Sequence, residues 1–275
     1  MDISLPARVI TYLGPIPLTD GQLGAILVSL FTILFFVLSA RRFSLVPTRM
    51  QLVLEFVHDY IMEQLENAFH SKKRANAFFP LFMTLLIFIL VSNQFALMPL
   101  VFEIMTSGGD VFRQPTSDLT NTLALSLVIF LICHFMAFKI SPLKHLSNFF
   151  NVMPLLRARS VGAVFSAGIE FFIGLLNIIG EFAKIVSLAA RLFGNVFAGN
   201  VMVAVIMSLS FYTQFLAPLP FIVLSTFSGL VQSFVFMLLA IQFVALSIDG
   251  ATPAQDEQIS QESLEVGSSN IAVGA

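Results

Sequence analysis

The sequence predicts an all-α polytopic membrane protein: about five membrane-crossing helices plus one amphipathic surface helix, the last two crossing helices long and tilted as a hairpin. Three observations carry that expectation. Hydrophobic residues make up 57% of the 275 positions against 11% charged, and mean hydropathy is +0.91, values of a membrane bundle rather than a soluble domain. The apolar residues gather into runs near the roughly 20 that cross a hydrocarbon core. Basic residues cluster between those runs, on alternate loops.

The same composition excludes several functions. Fourteen basic against 16 acidic residues give no field for nucleic acid, and the basic residues are not interleaved with exposed aromatics, so the lipid bilayer and not nucleic acid is the expected surroundings. The lone Cys133 excludes an intrachain disulfide, and His58, His70, His134 and His145 lack metal-ligand spacing. Neither a metal nor a cofactor is expected. No G-x-x-x-x-G-K-[ST] phosphate loop occurs, so ATP chemistry is not expected of this chain. The N-terminus MDISLPARVITYLGPIP lacks a basic n-region followed by an uninterrupted apolar core, so the first span is expected to act as the insertion signal.

Residues 1–22, with Pro6, Pro15 and Pro17, read as a surface lead-in to a membrane domain over residues 23–249. Leu23 to Ala40 is the first span and ends at Arg41 and Arg42. From Val46 to Phe69 the pattern is amphipathic, with Pro47 suited to a first helical position. Met50, Val53, Val57, Ile61 and Leu65 oppose Glu55, Asp59, Glu63 and Glu66, and those acids forbid a span. A helix lying on the membrane surface fits, as does one covering a soluble partner. Phe78 to Leu100 is the second span, and Glu103 to Gln114, with Gly108 and Gly109, is a loop. PTSDLTNTLALSL opens a third span running to about Phe138, where Thr116 or Asp118 can cap the helix. After a loop with Pro142 and Pro154, Val161 to Ser210 is nearly continuous apolar helix, about fifty residues and more than a perpendicular crossing needs. FYTQFLAPLP makes the turn into the last long helix, Phe221 to Ile248, and residues 250–275 form a flexible acidic tail.

With five crossings, Arg41, Arg42, Arg49, Lys72, Lys73, Arg74, Lys139, Lys144, Arg157 and Arg159 fall on one side, and only Arg8 and Arg113 on the other. The positive-inside rule then puts the N-terminus outside and the C-terminus in the cytoplasm. No internal repeat is evident, which counts against a carrier built from inverted halves.

Within the fourth span, EFAKIVSLAARLFGNVFAGN places Lys184 and Arg191 deep in an apolar run. A cation at a membrane helix centre costs roughly 2.5–3.5 kcal/mol on insertion scales, so each points to a partner and a function. Glu181, one turn before Lys184, can pair with it. Arg191 has no acid within reach on its own helix, since none occurs between Phe182 and Ile248. Its counter-charge comes from elsewhere in the chain, with Glu170, Glu103 and Asp118 as candidates, or from another polypeptide. At about 100° per residue, Asn177, Gly180, Lys184, Ser187, Arg191, Asn195 and Ala198 lie within roughly 40° of the Arg191 direction. Such a stripe of small and polar residues suits a helix interface, inside this chain or beyond it. On the last helix, Ser225, Ser228, Gly229 and Gln232 make a second stripe, able to hydrogen-bond to the first.

SLAARLFGNVFAGN closely resembles the signature of subunit a of the F-type ATP synthase, and the resemblance extends from about Leu23 to Asp249. It implies a non-catalytic, proton-translocating stator subunit of the F0 sector. Two half-channels would meet at a ring of c subunits, and Arg191 would face the ring carboxylate. The b-subunit peripheral stalk and the remaining F0/F1 subunits would be its other partners. Asn195 matches the Asn of RLFGN, Gln232 the family's Gln near Arg, and Pro115, Thr116 and Asp118 the family's P-T-x-D-x-N-x-T start, with Thr120 where Asn is usual. The resemblance assigns Asn195, Asn200, Ser225, Gln232, Asn93, Thr116 and Asp118 to the outer path, and Asn177, Glu181, Lys184 and Ser187 to the border of the inner one.

Departures from the family pattern are equally informative. Many relatives carry a Glu or His where Asn200 stands, and a His, Glu or Gly in place of Ser225; here both are neutral, and Ala96 replaces an acid found in some. The outer path would then use water, or acids such as Asp118 or Glu103. Asn200, about 180° round the helix from Arg191, is expected to face the hairpin partner rather than the ring. The GN of the motif, where alphaproteobacterial and mitochondrial relatives more often show AN, favours a bacterial plasma membrane. Two other classes remain on the sequence: a secondary transporter binding an anionic substrate at Arg191, and a scaffold in which Arg191 is paired internally.

Overall fold

The computed structural model describes residues 9–13, 16–41, 48–94, 114–149, 161–209 and 217–251. Two short strands, β1 (Val9–Leu13) and β2 (Ile16–Thr19), pair antiparallel with an irregular register between Val9 and Thr11. The helices are α1 (Asp20–Ala40), α2 (Arg49–Phe69), α3 (Lys72–Gln94), α4 (Leu119–Ile140), α5 (Pro142–Phe149), α6 (Val161–Leu209) and α7 (Pro218–Ala251), with a 3-10 turn at Pro115–Ser117 ahead of α4. Five of the described helices have stretches long and apolar enough to cross a membrane: Asp20–Leu38, Lys72–Gln94, Leu119–Ile140, Phe171–Val203 and Pro218–Ala251. This is a multi-pass helical membrane protein with a short ribbon where the sequence suggested only a lead-in. The ribbon surrounds a Gly14-Pro15 pair, a turn signal that the prolines' reading as mere surface chain passed over.

Element boundaries differ from expectation by a turn or less in most places. The first span begins at Asp20, whose Oδ1 accepts the Gly21 N–H at 2.8 Å, rather than at Leu23. The second begins at Lys72, because the basic cluster is helical, and residues 95–113, including the rest of that expected span and the loop of Glu103, lie outside the described residues. Helix α2 starts at Arg49, capped by the Thr48 side chain, which accepts from the Gln51 N–H; Pro47 and the acidic tail after Ala251 lie outside the described residues.

The chain divides into two compact units, Met1–Leu127 with Ile185–Gln242, and Val128–Lys184 with Phe243–Ala275. In the first unit, α2 and α3 form an antiparallel pair. His70 closes α2 in the left-handed region at φ 48, its N–H reaching the Glu66 carbonyl, so the chain reverses within two residues. Ile61, Leu65 and Phe69 are buried there with Ala75, Phe82, Leu86 and Ile89 of α3, and the Phe69 and Phe78 rings stack at 4.9 Å. The amphipathic stripe of α2 is covered only in this C-terminal half: Met50 and Val53 are 61% and 59% exposed, leaving the other half an apolar surface on the unit. Pro80 is tolerated inside α3 with the Thr84 hydroxyl donating to its carbonyl at 2.6 Å.

In the same unit α1 approaches the start of α4 closely. A Cβ on Gly21 would stand 2.8 Å from Asp118 Oδ2, so any larger residue here would make the Asp118 side chain shift. The α7 segment contributes Gln232, Ser233, Phe236, Met237, Ala240 and Ile241 to the buried interior, and Phe234 meets the edge of Tyr60 from α2.

In the second unit, Ile129, Cys133 and Ala137 of α4 and Val244, Ala245 and Ile248 of α7 are buried. The Ser247 hydroxyl donates to the Cys133 carbonyl at 2.9 Å. Phe130 stacks with Phe182, and His145 of α5 is edge-on to both His134 and Phe138.

Candidate functional site, an exposed arginine and a polar crevice

Helix α6 in the first unit has two faces. Leu188, Ala189, Leu192 and Val196, spaced by one, three and four, are buried, while Ser187, Arg191 and Ala198 are exposed. Among the described residues no carboxylate pairs with Arg191. Of the internal candidates, Asp118 uses Oδ1 to accept the Thr120 N–H at 3.0 Å and so caps α4. Glu103 and the side chain of Glu170 lie outside the described residues.

In the same unit α6, α7, α3 and the residue ahead of the 3-10 turn border a narrow polar crevice of about 10 Å³, lined by Asn93, Gln114, Asn195, Val196, Asn200, Ser225 and Gly229. Asn195 is tied to α7 twice: its Oδ1 accepts the Ser228 hydroxyl at 2.7 Å, and its Nδ2 donates to the Ser228 carbonyl at 3.3 Å. Asn93 donates to the Gly229 carbonyl at 2.9 Å and to the Ser233 hydroxyl at 3.1 Å. Glycine at 229 permits this approach, since a Cβ there would stand 3.2 Å from the Asn93 Cβ. Asn200 is exposed and donates to Gln114 Oε1 at 3.4 Å, so its bond runs to the segment before α4 rather than to the hairpin partner alone.

Deeper polar atoms surround the same unit. Asn93 Oδ1, Thr116 Oγ1, Asp118 Oδ2, Gln232 Nε2 and Ser92 Oγ are buried without a hydrogen-bond partner among the described residues. Thr116 is only 1% exposed, Asp118 7% and Gln232 8%.

The second unit handles charge differently. Lys184 donates to Glu181 at 2.6 Å, one turn apart, and its ammonium lies 5.6 Å from the centroid of the Phe243 ring. Asn177 and Gly180 are exposed on the same helix. Outside the spans, His145 is buried, and that burial, reinforced by His134 and opposed by Glu181, pulls its pKa below the ordinary 6.5.

The structure thus brings Asn93, Asn195, Asn200 and Ser225 around one crevice, and joins Glu181 to Lys184. Gln232, Thr116 and Asp118 are buried in the same unit as the crevice but do not line it. Two polar residues escaped the sequence reading. Gln114 immediately precedes Pro115 and donates to the Ser92 and Asn93 carbonyls; Ser233 follows Gln232 and bonds Asn93. The available signal for Gln114 was an amide one residue ahead of a helix-start motif; Ser233 lay one position off the expected stripe.

Comparison with known proteins identifies the family. The family model described as ATP synthase A chain matches residues 23–245. The ATP synthase subunit a of Desulfosudis oleivorans is 32% identical over 215 residues, 78% of this chain and 82% of the relative. That of Streptococcus gordonii is 29% identical, covering 86% and 95% of the two chains. The Geobacter sulfurreducens subunit is 32% identical, covering 75% and 77%. With the exposed arginine, the polar crevice and five spans in place, the chain belongs to the ATP synthase A chain family.

Proposed function

We propose that this chain is the non-catalytic, proton-translocating stator subunit of the F0 sector of a rotary ATP synthase. The observation that carries the reading is Arg191, exposed on α6 with no carboxylate partner among the described residues. A guanidinium so placed in a span needs a counter-charge, and a carboxylate on a neighbouring ring of c subunits supplies one. Its charge stabilises the ionised form of a passing carboxylate and repels protons that would leak directly between the two half-channels.

The outer half-channel runs through Asn93, Asn195, Asn200 and Ser225, with Gln232, Thr116 and Asp118 beside it. Protons cross it by way of water, since the crevice lining has no titratable side chain. The inner half-channel is bordered by Asn177, Glu181, Lys184 and Ser187. The basic loops set the N-terminus outside and the C-terminus in the cytoplasm of a bacterial plasma membrane. The b-subunit stalk and the remaining F0/F1 subunits complete the machine. Arg191→Ala is expected to abolish ATP-driven proton pumping in vesicles carrying the assembled complex, with the chain still inserted; unchanged pumping would overturn the assignment.

A further inference from the structure

The crevice depends on a residue that neither helix hairpin contains. Gln114 sits directly before the 3-10 turn and uses both ends of its carboxamide. Its Nε2 donates to the Ser92 carbonyl at 3.1 Å and, at longer range, to the Asn93 carbonyl at 3.4 Å. These carbonyls belong to the last described turn of α3. The Gln114 Oε1 accepts from Asn200 Nδ2 on α6. One neutral side chain therefore joins the end of α3 to α6 across the crevice it lines.

We propose that Gln114 is a positioning residue for ion passage, orienting the Asn200 amide at the crevice and holding the end of α3 against α6; the inference rests on the proton-path reading given above. An amide suits this place for a definite reason. It donates to carbonyls and accepts from an amide at once, without titrating near neutrality. Leucine has the bulk but neither function. Ionised glutamate accepts from Asn200 but donates nothing, and sets its charge against the Ser92 and Asn93 carbonyl oxygens. Protonated glutamate restores one donor. The other crevice-lining side chains, from α3, α6 and α7, carry no charge that would mask this titration. Among the described residues, the acids of this end of the unit are Asp118, at the cap of α4, and Asp20, at the start of α1, which packs on the 3-10 turn.

The test uses the assembled complex in proteoliposomes, with its catalytic sector stripped and passive proton conduction followed from about pH 5 to about pH 9. Gln114→Leu is expected to lower conduction about tenfold at every pH, because the bonds to α3 and to Asn200 are lost together. Gln114→Glu is expected to conduct near the wild-type rate at the acid end and to fall off through one added titration step, absent from wild type, as pH rises. In combination with Asn200→Ala, the Leu substitution should add little further loss, because both act through one contact. Conduction by Gln114→Leu within about twofold of wild type, or a Gln114→Glu profile parallel to wild type, overturns the inference. Should the Leu variant fail to assemble, the Glu profile decides alone. Absence of conduction by wild type itself would instead remove the proton-path reading.

Discussion

Two cations on one helix are treated in opposite ways. Lys184 is held by Glu181 at 2.6 Å, half-buried against Phe243, and its charge is met inside the chain. Arg191, seven residues on, is exposed, and no acid among the described residues meets it. A membrane cation with its own counter-ion has its charge balanced within the chain. One without calls for a counter-charge beyond the described residues, because a bilayer offers no high-dielectric solvent to hold it.

The difference predicts unequal mutational behaviour. Arg191→Gln should cost about a hundredfold or more in pumping, with normal amounts of assembled protein, as expected when a charge acts on a reacting group. Glu181→Gln should instead act on folding: it strands the Lys184 ammonium, and chain abundance and resistance to denaturing detergent fall. Because both side chains retain some exposure, 36% and 25%, the loss is expected at about 1 kcal/mol rather than at the level of a fully buried pair. Glu181→Gln with Lys184→Gln should recover most of it. If Arg191→Gln lowered abundance as Glu181→Gln does, and spared pumping per complex, the contrast would be lost.

Cysteine cross-linking sharpens the same comparison. Ser187 is exposed beside Arg191, so a Cys there should cross-link in high yield to a small hairpin protein with an intramembrane acid. Asn195 lies on the same expected stripe but is bound to Ser228 through both amide ends, so Cys at 195 should cross-link less and also loosen α7. Cross-links forming only within this chain would favour a scaffold.

These contacts also mark what the sequence could carry. The number of spans was legible because long apolar runs and their basic punctuation are one-dimensional signals, whereas helix Pro142–Phe149 stands where a loop was expected. Arg191 was legible because its isolation from acids can be counted along the chain. The crevice was half legible: Asn93, Asn195, Asn200 and Ser225 follow from resemblance, whereas Gln114 and Ser233 belong to contacts spanning 22, 86 and 140 residues that periodicity cannot reveal. The ribbon at Val9–Thr19 was missed because residues 1–22, with their prolines, were read as a surface lead-in, although Pro17 stands in a two-stranded ribbon, where a missing donor is tolerated at an edge.

Glycine tests the packing of the crevice with smaller effects. At Gly229 an added Cβ would press on the Asn93 Cβ at 3.2 Å, an atom fixed to the α3 backbone, so Gly229→Ala should destabilise by about 1 kcal/mol or more and weaken the Asn93 bonds. At Gly199 the nearest atom is Ser225 Oγ at 2.5 Å, a hydroxyl able to rotate away, so Gly199→Ala should cost less. Thermal unfolding of the detergent-solubilised complex measures both; the reverse order would mean that the Ser225 hydroxyl is the more firmly held of the two.

The smallest effect belongs to the second unit, where His145 packs edge-on to His134 and Phe138 on α4. Burial, then the neighbouring His134, lowers its pKa from 6.5, and Glu181 only partly offsets them. The folded chain therefore binds the His145 proton less readily than the unfolded chain. Its contribution to stability is complete above about pH 6.5 and is lost as pH falls toward the lower folded value. Backbone amides of α5 and the last turn of α4 should accordingly exchange hydrogen faster at about pH 5.5 than at about pH 7.5, after correction for intrinsic rates. His145→Gln removes the titrating ring while keeping a polar side chain, so the pH difference should shrink there while amides of α2 and α3 stay unchanged. An equal pH difference in the variant would show that the acid sensitivity of this unit does not arise at His145.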